Sequence, residues 1–128
     1  MNDGKLLALA AALTWVMIIT AAMLRTNGSL ALLLGNRDNL APPSPLAERA
    51  DRAAKNMIEN LIVFTAAYLG AKAAGASAMT VERGAEIFVA ARLLYFGLYL
   101  AGVKVVRTVA WGVGVAGIAV LVAGALGA

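Results

Sequence analysis

The 128-residue chain is far more apolar than a water-soluble domain, because 62% of its residues are hydrophobic, 14% are charged and the mean hydropathy is +0.82. It contains no cysteine and no histidine, which excludes disulfides, thiol nucleophiles, a Ser-His-Asp triad and the commonest metal ligands, so we predict no metal site. The net charge of +4 is not gathered on a basic surface interleaved with aromatic residues, so we predict no nucleic-acid partner.

The first predicted element is a membrane span over about residues 5–25. An uncharged apolar run extends from Leu6 to Leu24 and ends at Arg25. The run has the roughly 20 residues that are needed to cross a bilayer. It is also longer than the hydrophobic segment of a signal peptide, so we expect it to belong to the mature protein.

Residues 26–45 form the longest predicted loop. Prolines at positions 42, 43 and 45 follow a segment rich in glycine and asparagine, and such residues break helices and leave backbone groups that lipid cannot satisfy. Ser44 before Pro45 is typical of a helix start, with the serine as N-cap and the proline as first helical residue. A second span is therefore predicted over about residues 46–72.

A third span is predicted over about residues 81–102, after a turn that contains two glycines and a serine. A fourth follows over about residues 105–126, with glycines at positions 112, 114, 117 and 124. Small residues allow helices in lipid to approach closely, so these glycines indicate packing faces. Together the elements predict an all-α membrane protein with one domain over residues 1–128, a bundle of four transmembrane helices.

The distribution of Lys and Arg predicts the orientation of this bundle. One side carries the cations in or near the long loop and the last connection: Arg25, Arg37, Arg49, Arg52, Lys55, Lys104 and Arg107. The opposite side carries Lys5, Lys72 and Arg83. By the positive-inside rule, the long loop lies in the cytoplasm and both termini lie outside the cytoplasm.

A polar stripe runs along the first half of the second predicted helix. At helical spacing, Glu48 and four later residues share a face of about 100°. Those four residues are Arg49, Arg52, Asn56 and Glu59. Glu59 lies among apolar residues, and a carboxylate within a membrane needs an arginine or a polar ligand as its partner.

The third predicted helix carries a cation in an otherwise apolar segment. Tyr95 and Tyr99 follow Arg92 on the same side of this helix. One interpretation is structural, with Arg92 paired to Glu59 and the tyrosines as interfacial anchors. The other is a ligand site, because the arginines exceed what one ion pair requires and polar clusters within membranes are usually functional.

These two motifs resemble those of a known family. The spacing Glu-Arg-x-x-Arg-Ala-x-x-Asn-x-x-Glu from Glu48 and the later Ala-Arg-Leu-x-Tyr-x-x-x-Tyr from Ala91 are similar to the signatures of MAPEG, the membrane-associated proteins in eicosanoid and glutathione metabolism. The number of spans, the chain length and the long first loop agree with that family. The loop segment Gly35 to Asp38 with its prolines is similar to the bacterial members.

The resemblance implies a homotrimer that binds glutathione as cosubstrate between neighbouring subunits, near the cytoplasmic side. The residues implied to hold glutathione are Arg49, Arg52, Asn56 and Glu59, together with Arg92, Tyr95 and Tyr99 from the neighbouring subunit. In the family's enzymes an arginine near the cytoplasmic end of the third or fourth helix stabilises the glutathione thiolate. Arg107 is the best match for it and Lys104 the second. Asn60 stands where several glutathione-using members have tyrosine, so one expected contact differs.

Two functions follow from the resemblance. The first is a glutathione-dependent transferase or peroxidase of the bacterial inner membrane, acting on lipophilic electrophiles that arrive through the membrane lipid. The alternative is a non-catalytic trimeric scaffold or binding protein of the same family. A small transporter or proton relay is disfavoured, because the predicted spans lack the interruptions of discontinuous helices.

Overall fold

The computed structural model describes residues 2–127 as five helices without a strand. The helices are α1 (Asp3–Arg25), α2 (Leu30–Leu34), α3 (Pro45–Ala73), α4 (Ala78–Leu100) and α5 (Val105–Ala125). The four long helices correspond to the four predicted segments, but α4 ends at Leu100 and not at residue 102, and α5 ends at Ala125 and not at residue 126. The short helix α2 lies inside the predicted long loop, where the sequence pattern predicts no helix. The Ser29 side chain caps α2 by accepting a hydrogen bond from the backbone of Leu32.

Serine side chains set where α3 and α4 begin. Ser44 Oγ accepts a 3.1 Å hydrogen bond from the backbone N–H of Ala47, with Pro45 as the first helical residue, as predicted. Ser77 Oγ accepts a 3.1 Å hydrogen bond from the N–H of Thr80. Helix α4 therefore begins at Ala78, one turn before the predicted span over residues 81–102, because its cap residue is Ser77.

The long helices run alternately up and down. At one end of the bundle, Asp3 of α1 accepts hydrogen bonds from Lys72 Nζ at 2.6 Å and Tyr68 Oη at 3.0 Å, near the end of α3. At the other end, Arg49 of α3 donates to the carbonyl oxygen of Leu100 at the end of α4. We call this second end, with residues 26–45 and 101–104, the loop side. It also holds the start of α5.

Helices α4 and α5 approach each other through glycines. A methyl group on Gly117 would lie 2.7 Å from the carbonyl oxygen of Gly84 and 2.8 Å from the backbone nitrogen of Phe88, closer than real contacts allow. Gly114 and Gly124 also face α4, whereas Gly112 has nothing within 4 Å. Three of the four glycines predicted as packing residues thus lie in the α4–α5 contact, and at Gly117 and Gly124 a methyl group would come closer than 3 Å to a neighbouring atom.

Much of the outer surface of the bundle is apolar. Helices α1 and α5 are long and apolar enough to cross a membrane, and only 33% and 28% of their most apolar stretches are buried, whereas a core helix of a soluble protein is mostly buried. Large apolar side chains such as Trp15 and Ile62 are 67% and 66% exposed. Helices α3 and α4 are long enough to cross a membrane but are less apolar than α1 and α5. Polar residues interrupt them, among them Glu59 and Arg92.

Candidate functional site

Arg92 of α4 is a buried cation, with 1% of its surface exposed. Its Nη2 donates a 2.8 Å hydrogen bond to Asn56 Oδ1, and its Nε donates to Met57 Sδ at 3.3 Å. Its Cζ lies 4.2 Å from the centre of the Tyr95 ring, within cation–π distance. No carboxylate among residues 2–127 forms an ion pair with Arg92. The interpretation in which Arg92 pairs with Glu59 is therefore wrong within one chain.

Tyr99 connects α3, α4 and α5 on the loop side. Its hydroxyl oxygen accepts a 3.2 Å hydrogen bond from Arg52 Nε of α3. The guanidinium carbon of Arg107, on α5, lies 4.3 Å from the centre of its ring. The ring itself lies 5.4 Å from that of Tyr95, tilted by 60°. Two cations from different helices therefore converge on one tyrosine.

A cavity of about 270 Å³ opens beside these residues; we call it the polar cavity. It is lined by Asn56, Tyr95, Tyr99, Arg107, Thr108 and Trp111. Its lining includes one cation and no carboxylate. Amide, phenol, guanidinium and indole groups all carry hydrogen-bond donors, and charge-assisted hydrogen bonds make such a surface suited to an anionic ligand.

Arg52 lies at the edge of this arrangement. It is exposed and, besides its bond to Tyr99, its Nη1 lies 3.8 Å from a carboxylate oxygen of Glu48 on the preceding turn. The neighbouring cation Lys55 is different, because it pairs with Asp51 at 2.8 Å and lines a separate cavity between α1 and α3. The two cations, three residues apart, thus belong to different surfaces of α3.

Five predicted site residues do not line the polar cavity: Arg52 and Arg92, described above, and three more. Arg49 is half-buried, and its Nε and Nη2 donate to the Leu100 carbonyl oxygen at 3.3 and 3.2 Å, which ties α3 to α4. Lys104 is exposed in the connection before α5. Glu59 is exposed on α3, and its carboxylate has no hydrogen-bond or ion-pair partner in the described part of the chain.

The remaining predicted residues meet within one chain. Asn56 and Arg92 bond to each other, as do Arg52 and Tyr99, whereas the sequence resemblance implies that α4 serves the site of the neighbouring subunit. The sequence pattern does not point to Thr108 and Trp111. Trp111 follows Arg107 by four residues, so helical spacing from that cation is the signal that could have found it.

The family model of MAPEG matches residues 5–127, nearly the whole chain. The chain belongs to the MAPEG family. No curated protein matches it. Membership and the two long apolar helices make this MAPEG chain an integral membrane protein. The two motifs on which the sequence resemblance rests lie on α3 and α4.

Proposed function

We propose that this MAPEG chain is a glutathione-dependent membrane transferase or peroxidase that acts on lipophilic electrophiles. The observation that carries the proposal is the convergence of Asn56, Tyr99 and Arg107, from three helices, on one polar cavity at the loop side. Glutathione has two carboxylates, an ammonium group and a thiol. A cavity rich in donors and free of carboxylates fits the anionic groups of this tripeptide.

The proposal gives six polar residues a role in binding or activating glutathione. Arg52, Asn56 and Tyr99 bind carboxylates of glutathione, and Glu59 binds its ammonium group. Arg107 lies nearest the sulfur and stabilises the thiolate, with Lys104 as the second candidate for that role. A cation beside a thiol lowers the pKa of the thiol and raises the thiolate fraction at neutral pH. The thiolate then attacks the electrophilic carbon, a C–S bond forms and the leaving group departs.

A homotrimer is part of the same proposal. Glu59 is exposed on the single chain, next to apolar residues of α3, and lipid does not tolerate an unpaired carboxylate. Exposed apolar residues follow it on α3, including Ile62 at 66% and Leu69 at 56%. An interface along α3 covers these side chains and brings a partner to Glu59. Mass measurement of the detergent complex tests this: a trimer is expected, and a monomer contradicts it.

We place the four long helices across the bacterial inner membrane, with the loop side in the cytoplasm and both termini outside. The seven cations on the loop side support this orientation. The chain has no cysteine, so single cysteines can report topology. In intact cells a membrane-impermeant maleimide should label Ala76→Cys and not Asn39→Cys; the reverse pattern contradicts the orientation.

The alternative function is a non-catalytic trimeric scaffold or binding protein of the MAPEG family. One observation favours it. Arg49 and Arg92 donate hydrogen bonds to groups within the chain, and neither side chain lines the polar cavity. Two measurements on the detergent-purified protein separate the functions. The transferase binds glutathione in calorimetry and conjugates 1-chloro-2,4-dinitrobenzene above the uncatalysed rate, with loss of chloride. Absence of binding at millimolar glutathione rejects it in favour of the scaffold.

A further inference from the structure

The side-chain oxygen of Asn56 is held from two sides. Arg92 Nη2 donates to it at 2.8 Å, and Asn60 Nδ2 lies 3.4 Å from it while also donating to the Asn56 backbone oxygen at 2.8 Å. Arginine has five donors and no acceptor, so the atom of the carboxamide that faces Arg92 must be its oxygen. The two ends of the Asn56 amide are therefore distinguished by chemistry alone.

Asn56 also lines the polar cavity, whereas Arg92 does not. Since the amide oxygen is turned toward Arg92 and Asn60, the NH₂ group is the end left for the cavity. We infer that Arg92 and Asn60 are positioning residues that hold the Asn56 amide with its NH₂ group toward the polar cavity, where it donates to an anionic group of the ligand. The choice of glutathione as that ligand rests on the proposed function.

The arrangement explains why position 56 suits an amide and not a carboxylate. An aspartate there would pair with the buried guanidinium of Arg92, and it would offer the cavity an acceptor with negative charge. The arrangement also assigns a role to Asn60, at the position where the family resemblance leads one to expect tyrosine. Asn60 acts through Asn56 and not through the ligand.

The decisive variant is Asn56→Asp, because it keeps a partner for Arg92 and replaces the NH₂ group at the cavity with a carboxylate oxygen. We expect its glutathione affinity in calorimetry to fall by at least about tenfold, the effect of one hydrogen bond to a charged group. The midpoint of thermal unfolding should stay the same or rise. An affinity equal to that of the wild type, in a folded variant, overturns the inference.

A second readout does not depend on glutathione. Trp111 lines the same cavity, and the only other tryptophan is Trp15. In a Trp15→Phe background, Trp111 fluorescence is quenched with iodide, an anion, and with neutral acrylamide. Asn56→Asp should lower the iodide-to-acrylamide ratio of quenching constants several-fold. Asn39→Asp, which adds the same charge to the exposed loop, is the matched control and should leave the ratio unchanged.

Calorimetry tests the proposed function, and tryptophan quenching tests the positioning of the Asn56 amide. If the wild type does not bind glutathione but the quenching ratio changes in Asn60→Ala, which alters no charge, the proposed function fails and the inference stands. If the ratio is the same in Asn56→Asp and Asn39→Asp, the inference fails whatever the protein binds. Should Asn56→Asp not fold, Asn60→Ala removes one of the two restraints, and a quenching ratio unchanged from the wild type then overturns the inference.

Variants of Arg92 distinguish positioning from a purely structural role. Arg92→Gln can still donate to the Asn56 oxygen, whereas Arg92→Met cannot, and both variants are uncharged. We expect Arg92→Gln to keep a quenching ratio closer to that of the wild type than Arg92→Met does. Equal ratios in the two Arg92 variants contradict the positioning role.

Discussion

Arg92 and Asn56 join α4 to α3 by a 2.8 Å hydrogen bond in which a buried cation has a neutral partner. Since no carboxylate of residues 2–127 pairs with this guanidinium, its positive charge is not cancelled within the chain. A positive charge of this kind, behind the wall of the polar cavity, attracts anions to it. The pair is therefore an electrostatic element of the site as well as a contact between helices.

Arg52→Ala should weaken glutathione binding more than Lys55→Ala. Arg52 donates to Tyr99, which lines the polar cavity, whereas Lys55 pairs with Asp51 and lines another cavity. Loss of one charged hydrogen-bond donor corresponds to about a tenfold or greater rise in Kd, measured by calorimetry. Lys55→Ala is the matched control three residues away. Equal effects of the two substitutions would mean that the binding face of α3 is assigned incorrectly.

Arg107→Gln should move the pH dependence of the conjugation rate to higher pH. Without the nearby cation, the pKa of the bound thiol returns toward that of a free thiol, about 8.5, so the rate at neutral pH falls and recovers as pH rises. The rate profile from pH 6 to 9 measures the shift. Lys104→Gln should shift the profile less, because Lys104 does not line the polar cavity. A larger shift in Lys104→Gln assigns the thiolate role to that residue.

Gly117→Ala should destabilise the bundle by about 1–3 kcal/mol, the usual cost of overpacking. The added methyl group would meet the carbonyl oxygen of Gly84 at 2.7 Å, and backbone cannot move aside as a flexible side chain can. Thermal unfolding in detergent measures the loss. Gly112→Ala, on the same helix with open space around it, is the control. It should be neutral or slightly stabilising, since alanine favours helix more than glycine does.

Arg49→Met should destabilise the protein by about 1–2 kcal/mol, because two N–H groups would no longer bond the Leu100 carbonyl oxygen at the end of α4. The matched control is Arg37→Met. Arg37 also donates through Nε and Nη2 to one carbonyl oxygen, but that of Leu33, four residues away, so it links no distant segments. Similar losses in thermal unfolding for both variants would show that the α3–α4 link contributes nothing of its own.

The site could be predicted from sequence only as two helical faces. Helical spacing placed Arg52 and Asn56 on one face of α3 and Arg92 with its tyrosines on one side of α4, because side-chain direction in a helix follows from position along the chain. Which residue of one face meets which residue of the other depends on the offset between helices. That offset pairs Arg92 with Asn56 and leaves Glu59 outside. No local sequence pattern predicts this offset between α3 and α4.

By itself the sequence determined the membrane class, the four long helices and the family, because hydropathy, capping residues and motif spacing are properties of short segments. Tertiary structure alone decided which way the Asn56 amide points. Its oxygen is turned toward Arg92, which reaches it from α4, whereas the second donor, Asn60, lies one turn further along α3 itself. The contact between Arg92 and Asn56 depends on how α3 and α4 pack against each other. Only the folded chain therefore shows which end of the Asn56 amide faces the polar cavity.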